Sequence, residues 1–274
     1  MTHVTSGVAT RLPSVKRVSV STQALAARRA RPPGSLPRFL PGGRVGAFRV
    51  ESCLGSGWEG AVYRVRDPAR RACVLKLFRQ RAFASRSDLQ QRLRHLRRVQ
   101  ASTGSSSVSI QLVHRQDAWQ AVLLPYQPGE SLHAILARRP SGRLPLREAA
   151  KAFQAILREL VRLHGRGAYH GDLHEGNVLL ARCGRGQRAH FIDPMPQVGA
   201  RVALQENDLV EAVRLFSWML GGAPAYASHP AWVRSIIRGS KARAILAHHP
   251  RVTDLLAAVR AGMQGRSASR ILGD

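Results

Sequence analysis

From Ala47 the chain falls into short apolar runs separated by turn residues. Residues 47–54 and 61–66 flank a glycine-rich loop, Asp67-Pro68 marks a turn, and 72–78 follows. Runs of this length bounded by Gly, Pro and Asp predict strands. Residues 108–114 and 119–126 predict two more. Between 72–78 and 108–114, residues 87–99 predict a basic helix with Leu89, Leu93 and Leu96 on one face. The period then changes. Leu146, Ala150, Phe153, Leu157 and Leu160 recur every three or four positions, with Pro145 before them and Gly165 near their end. Leu209, Val213, Phe216 and Leu220 repeat that spacing and stop at Gly221-Gly222. Short strands are predicted at 178–181 and 190–192, and further helices at 230–247 and 250–261. The expectation is an α+β chain with a small unit of five strands and one helix, followed by a mostly helical unit.

A chain of 274 residues with 44% hydrophobic content suffices for one domain or two packed lobes. It contains no run of 18 apolar residues, so no membrane-spanning segment is expected. Cys53, Cys73 and Cys183 show no metal-ligand spacing and read as reduced thiols of a cytoplasmic protein, with the first and second in strand-like runs.

The formal net charge is +27, from 43 Lys and Arg against 16 Asp and Glu. Lys16, Lys76, Lys151 and Lys241 are the only lysines. Such reliance on arginine reads first as the compositional bias of a GC-rich genome. The competing reading is weak attraction to polyanions or an anionic membrane, through a field damped over about 8 Å at physiological salt. Residues 1–44 hold no acid and carry a basic stretch from Arg28 to Gly34. A disordered basic arm is expected there, and its composition also fits a transit or export signal.

Against this background, five of the scarce acids cluster: Asp172, Glu175, Asp193, Glu206 and Asp208. They belong to, or follow, the run Tyr169-His170-Gly171-Asp172-Leu173-His174-Glu175-Gly176-Asn177, which is closed by Ile192-Asp193-Pro194. An Asp and an Asn five apart, then a second Asp across a hairpin, is what phosphoryl transfer from ATP requires. One carboxylate orients the attacking hydroxyl, while an amide and a second carboxylate hold Mg²⁺. Upstream, Gly55, Gly57 and Gly60 lie in Leu54-Gly55-Ser56-Gly57-Trp58-Glu59-Gly60. Glycines so spaced admit phosphate oxygens to the backbone, although a tight hairpin or a dinucleotide fold would use them too. A strand containing Val62 follows, and Lys76 arrives in Cys73-Val74-Leu75-Lys76-Leu77-Phe78. An ammonium among apolar strand residues either reaches solvent at an edge or is neutralised by an anion.

These motifs, in this order over residues 45–220, resemble the protein-kinase-like superfamily, with Trp58-Glu59-Gly60 and Leu75-Lys76-Leu77-Phe78 similar to bacterial serine/threonine-kinase-like proteins. The resemblance implies a two-lobed protein-kinase-like fold, the small lobe over 45–124 and the hinge with the larger lobe over 125–274. It implies ATP and Mg²⁺ as cofactors. Asp172 would be the catalytic base, with Lys76 and the glycines on the phosphates and Asn177 and Asp193 on the metal. Val62 would cover the adenine, the Pro125 carbonyl and Gln127 N–H would meet its edge, and Leu124 would be the gatekeeper. Asp208 would tie down the catalytic loop, which His170 would help to anchor.

Three departures narrow the reading. Arg92 falls where the helix glutamate that pairs with the lysine is expected, leaving Asp88, Glu59 or Asp193 to neutralise Lys76. Gly171 replaces an arginine before Asp172, and residues 194–216 contain no Ser, Thr or Tyr, so no activation by phosphorylation of that segment is expected. Only fourteen residues separate Asp193 from Asp208. Three functions therefore stand at this point: a serine/threonine protein kinase, a small-molecule, sugar or lipopolysaccharide kinase of the aminoglycoside-phosphotransferase type, and a nucleotide-binding pseudokinase. The corresponding partners are a protein substrate or a hydroxyl-bearing small molecule or glycan.

Overall fold

The computed structural model describes residues 36–79, 82–103, 108–115, 119–184 and 186–271. The backbone separates into two compact units, one running through Ala82 and including Gln111–Leu124, the other made of Phe83–Ile110 and the chain from Pro125 onward.

The first unit is a sheet in the order β1-β2-β3-β4-β6-β5. Its strands are β1 (Arg44–Val45), β2 (Phe48–Ser56), β3 (Gly60–Arg66), β4 (Ala72–Arg79), β5 (Gln111–Arg115) and β6 (Trp119–Pro125). The five expected strands are present, and β1 is a sixth, too short to leave a periodic signature. The strand expected from 108, β5, begins at Gln111. Tyr63, Val65, Cys73, Leu75 and Leu77 are buried on the sheet, as alternating side chains on paired strands should be. The expected basic arm lies outside the described residues as far as residue 35. Its last part, 36–44, packs on the sheet instead of standing apart: Leu36 is buried, and Phe39 meets Tyr63 edge-on with ring centroids 5.5 Å apart. Leu36 is buried and Phe39 half-buried, so this stretch packs with the sheet.

The second unit contains α1 (Arg86–Thr103), α2 (Leu132–Ala137), α3 (Leu146–Gly165), α4 (Arg201–Met219), α5 (Gly222–Ala225), α6 (Ala231–Ile237), α7 (Ala242–His248) and α8 (Val252–Ile271). Helix α1 starts with a capping box in which Ser85 and Asp88 exchange backbone-to-side-chain bonds of 2.9 and 3.1 Å. Asp88 is committed to that cap. The α1 face of Leu89, Leu93, Leu96 and Val99 is buried. The fully buried centre is α3 against α4, where Phe153 stacks on Phe216 at 4.3 Å. One expected helix, 230–247, is two. Arg238, Gly239 and Ser240 have φ of 47°, 61° and 59°, a left-handed turn that no α-helix accommodates.

A second sheet, β7 (Glu130–Ser131), β8 (Val178–Cys183) and β9 (Gly186–Phe191), sits within this unit. Its β8–β9 hairpin pairs Val178 with Phe191, and the Ile192 N–H continues the ladder to the Asn177 carbonyl at 3.0 Å. That bond fixes the chain just before Asp193 beside the end of the catalytic run. Among the described residues no helix is long and apolar enough to cross a membrane, and the three cysteines are free thiols.

Candidate active site

The glycine loop closes the β2–β3 hairpin, with Gly57 N–H bonded to the Gly60 carbonyl at 2.8 Å and Gly55 opposite Val62. The three glycines have different reasons to be there. A Cβ on Gly60 would lie 1.7 Å from the Leu77 carbonyl oxygen, so this glycine serves the close approach of β3 to β4. Gly55 and Gly57 have nothing within 4 Å of a Cβ position. Their backbone borders open space, as a phosphate-binding loop requires.

Lys76 lies opposite Val62 in the β3–β4 register and is only 6% exposed. Its ammonium meets Glu59 Oε2 at 2.6 Å and stands 4.7 Å from the centre of the Phe78 ring. The loop glutamate, one of the three carboxylates that sequence offered, pairs with Lys76 within the same hairpin system. Pro125 ends β6, and Gln127 follows in the connection to β7; Leu124 is half-buried beside them.

In the helical unit the catalytic run forms a loop between α3 and β8, held from below by Asp208 of α4. That carboxylate is 2% exposed. It accepts the backbone N–H of His170 at 2.7 Å, the N–H of Gly171 at 2.9 Å and His164 Nε2 at 3.0 Å. Gly171 has φ of 82°, and a Cβ there would sit 2.2 Å from the Met195 carbonyl oxygen. Glycine at this position is therefore a packing requirement of the loop, beyond the mere absence of an arginine.

His170 is fully buried, with Nε2 2.9 Å from the Ile192 carbonyl and Nδ1 3.2 Å from the Asp172 N–H. Donating from Nε2 and accepting at Nδ1 fits only the neutral ring. Burial likewise pushes the His170 pKa down. His95 of α1, 3.3 Å from the His170 carbonyl and 4.6 Å from the Tyr169 ring, is lowered by burial to about 4. Both groups bind protons less readily folded than unfolded, where a histidine titrates near 6.5. The stabilisation from both is complete above that value and declines as the pH falls below it, for His95 until about 4. Urea midpoints measured from pH 7.5 down to pH 4.5 should drop, with His95 alone contributing up to about 3 kcal/mol. A midpoint that stays flat over this interval would contradict the burial of neutral histidines beneath the loop.

Asp172 and Asn177 meet directly. Asn177 Nδ2 donates to the Asp172 carbonyl at 2.9 Å and to Asp172 Oδ2 at 3.2 Å. The amide nitrogen is thereby used, and the amide oxygen is the end turned to other partners. The Asp172 carboxylate is 46% exposed, open to an incoming hydroxyl. Asp193 has φ of 56° and its side chain is 31% exposed. It accepts a hydrogen bond from Arg92 of α1, whose other terminal nitrogen contacts Met195 Sδ. Arg92 is the site residue whose role sequence reasoning missed, although its place in the helix had marked it as odd. Among the described residues there is no cluster of three His, Cys, Asp or Glu to cage a metal. An amide oxygen and one carboxylate are hard donors of the kind Mg²⁺ uses when substrate phosphates and water complete its shell.

A protein kinase domain model matches residues 48–192. The chain belongs to the protein kinase family. The matched span runs from β2 to Ile192, ending one residue short of Asp193. Similar proteins include rice (Oryza sativa subsp. japonica) CBL-interacting protein kinase 21, 30% identical over 66% of this chain and 34% of that protein. The Myxococcus xanthus serine/threonine-protein kinase pkn2 is 27% identical over 67% of this chain and 21% of its own length. This chain thus spans about a third or less of the curated relatives it matches. The kinase domain of Mycobacterium tuberculosis PknI superposes with a TM-score of 0.58 at 18% identity, covering 82% of this chain and 99% of that domain. At that identity the likeness concerns the fold, a sheet-based lobe and a helical lobe.

Proposed function

We propose that this chain transfers the γ-phosphoryl group of ATP, with Mg²⁺, to a hydroxyl group, in the first instance a serine or threonine of a protein. The supporting observation is that Asp208 and the β8–β9 hairpin bring Asp172, Asn177 and Asp193 into one loop system with an exposed carboxylate at Asp172. In this reading Asp172 orients the acceptor hydroxyl and takes its proton as the oxygen attacks the γ-phosphorus. Lys76 and the backbone at Gly55 and Gly57 neutralise and position the phosphates, and Gly60 keeps that hairpin against β4. Val62 lies against the adenine, whose edge meets the Pro125 carbonyl and Gln127 N–H. Asn177 and Asp193 would hold Mg²⁺, which when bound offsets phosphate charge. Glu59 fills the part a helix glutamate plays elsewhere, keeping the ammonium oriented while it is buried.

A second acceptor class has one observation in its favour. Helix α4 begins at Arg201, so only 194–200 lies between Asp193 and the next element, a short platform for a peptide. Labelled ATP supplied to a lysate separates the two: acid-stable label on serine or threonine of proteins supports the first reading. ATP consumption that appears only when a protein-free metabolite or glycan fraction is added would replace it with the second.

A further inference from the structure

Arg92 occupies a position in α1 that puts a fixed positive charge on the carboxylate read above as a metal ligand. It is 2% exposed. One terminal nitrogen of its guanidinium hydrogen-bonds Asp193, the other touches the thioether of Met195, and Nε is buried with no hydrogen-bond partner. A thioether is a weak acceptor. Asp193 is thus the carboxylate that holds this buried cation, and the remaining contacts give the guanidinium little else to lose by moving. On the other side, Asp193 is partly exposed and lies across the β8–β9 hairpin from Asn177, so an ion has a route to it from solvent.

A carboxylate neutralised by a buried guanidinium attracts a divalent ion poorly, because the ion meets the repulsion of a positive charge that water does not screen. We propose that Arg92 is a resident counter-cation of Asp193, and that a divalent ion is held there only when the guanidinium withdraws. This rests on the reading of Asp193 as a metal ligand and deepens it, making Arg92 the residue that sets metal affinity. The exchange divides the protein between a closed state, Arg92 on Asp193, and an open state competent for metal. Apparent affinity is then the intrinsic affinity reduced by the open fraction. An open fraction of about 1–10% weakens binding by about 10–100-fold.

The probe is Mn²⁺, titrated into the full chain without nucleotide and followed by the loss of the free-ion paramagnetic resonance signal. Arg92→Met should bind Mn²⁺ about 10–100-fold more tightly than the unaltered chain, and Asp193→Asn more weakly than either. Circular dichroism establishes that each variant is folded. If Arg92→Met does not fold, Arg92→Lys, which keeps the charge and loses the planar fork, should still tighten binding several-fold. Affinity unchanged or reduced in a folded Arg92→Met or Arg92→Lys variant, while Asp193→Asn still weakens it, overturns the counter-cation and leaves the metal site standing. Equal Mn²⁺ affinity in Asp193→Asn and the unaltered chain overturns the metal site and this inference with it.

Discussion

Replacing Asp172 by asparagine should lower phosphoryl-transfer turnover by about 10²–10⁴-fold, the usual contribution of a positioned general base. The substitution is nearly isosteric, and the amide oxygen still accepts from Asn177 Nδ2, which also bonds the unaltered Asp172 carbonyl. What is lost is a group able to take the acceptor proton. ATP binding should change little, because Asp172 is not among the groups proposed to grip the nucleotide, which are Lys76, the β2–β3 loop, Val62, Pro125 and Gln127. Rates and equilibrium nucleotide binding measured side by side give the test. Turnover near that of the unaltered chain would remove Asp172 from the chemistry, and a parallel collapse of ATP binding would mean that the variant had disturbed the fold instead.

The second large effect concerns Asp208. Its buried carboxylate serves two backbone N–H groups of the catalytic loop and the His164 ring. Alanine leaves the two N–H donors without their acceptor, at about 1–3 kcal/mol each, for a total of about 2–6 kcal/mol. That is a large share of the stability of an ordinary domain, about 5–15 kcal/mol. Urea unfolding should show the loss, and turnover should fall with it, since the bonds that position His170 and Gly171 also position Asp172. A change below about 0.5 kcal/mol, the range of an unremarkable surface substitution, would show that the loop does not depend on this tie.

The order of motifs made the fold and most of the site legible in sequence. Strand and helix periods were strong from Phe48 to Leu220, and the acids were scarce enough for Asp172, Asp193 and Asp208 to stand out. What sequence left open depended on contacts between distant segments. Lys76 had three candidate partners at separations that no periodicity ranks, and the hairpin register brought Glu59 to it. Arg92 was recognisable as a residue of the wrong sign for its helix position. Its place on Asp193 follows from how α1 lies against the chain after β9, which has no local signature. Gly171 was read as a missing arginine, whereas the Met195 carbonyl beside it leaves no room for a side chain. The same limit explains the two-residue strands β1 and β7, too short to carry a period, and the break at Arg238–Ser240, where Gly239 was the only local sign.

The central claim is that the catalytic run works as a phosphotransferase through Asp172. It is tested most directly by incubating the chain and its Asp172→Asn variant with γ-labelled ATP, Mg²⁺ and the proteins of a lysate, then measuring acid-stable label on hydroxyl groups. The unaltered chain should transfer label, and the variant at least about a hundredfold less. Equal labelling by the two, or none by the folded, nucleotide-bound unaltered chain with any hydroxyl acceptor, would contradict it.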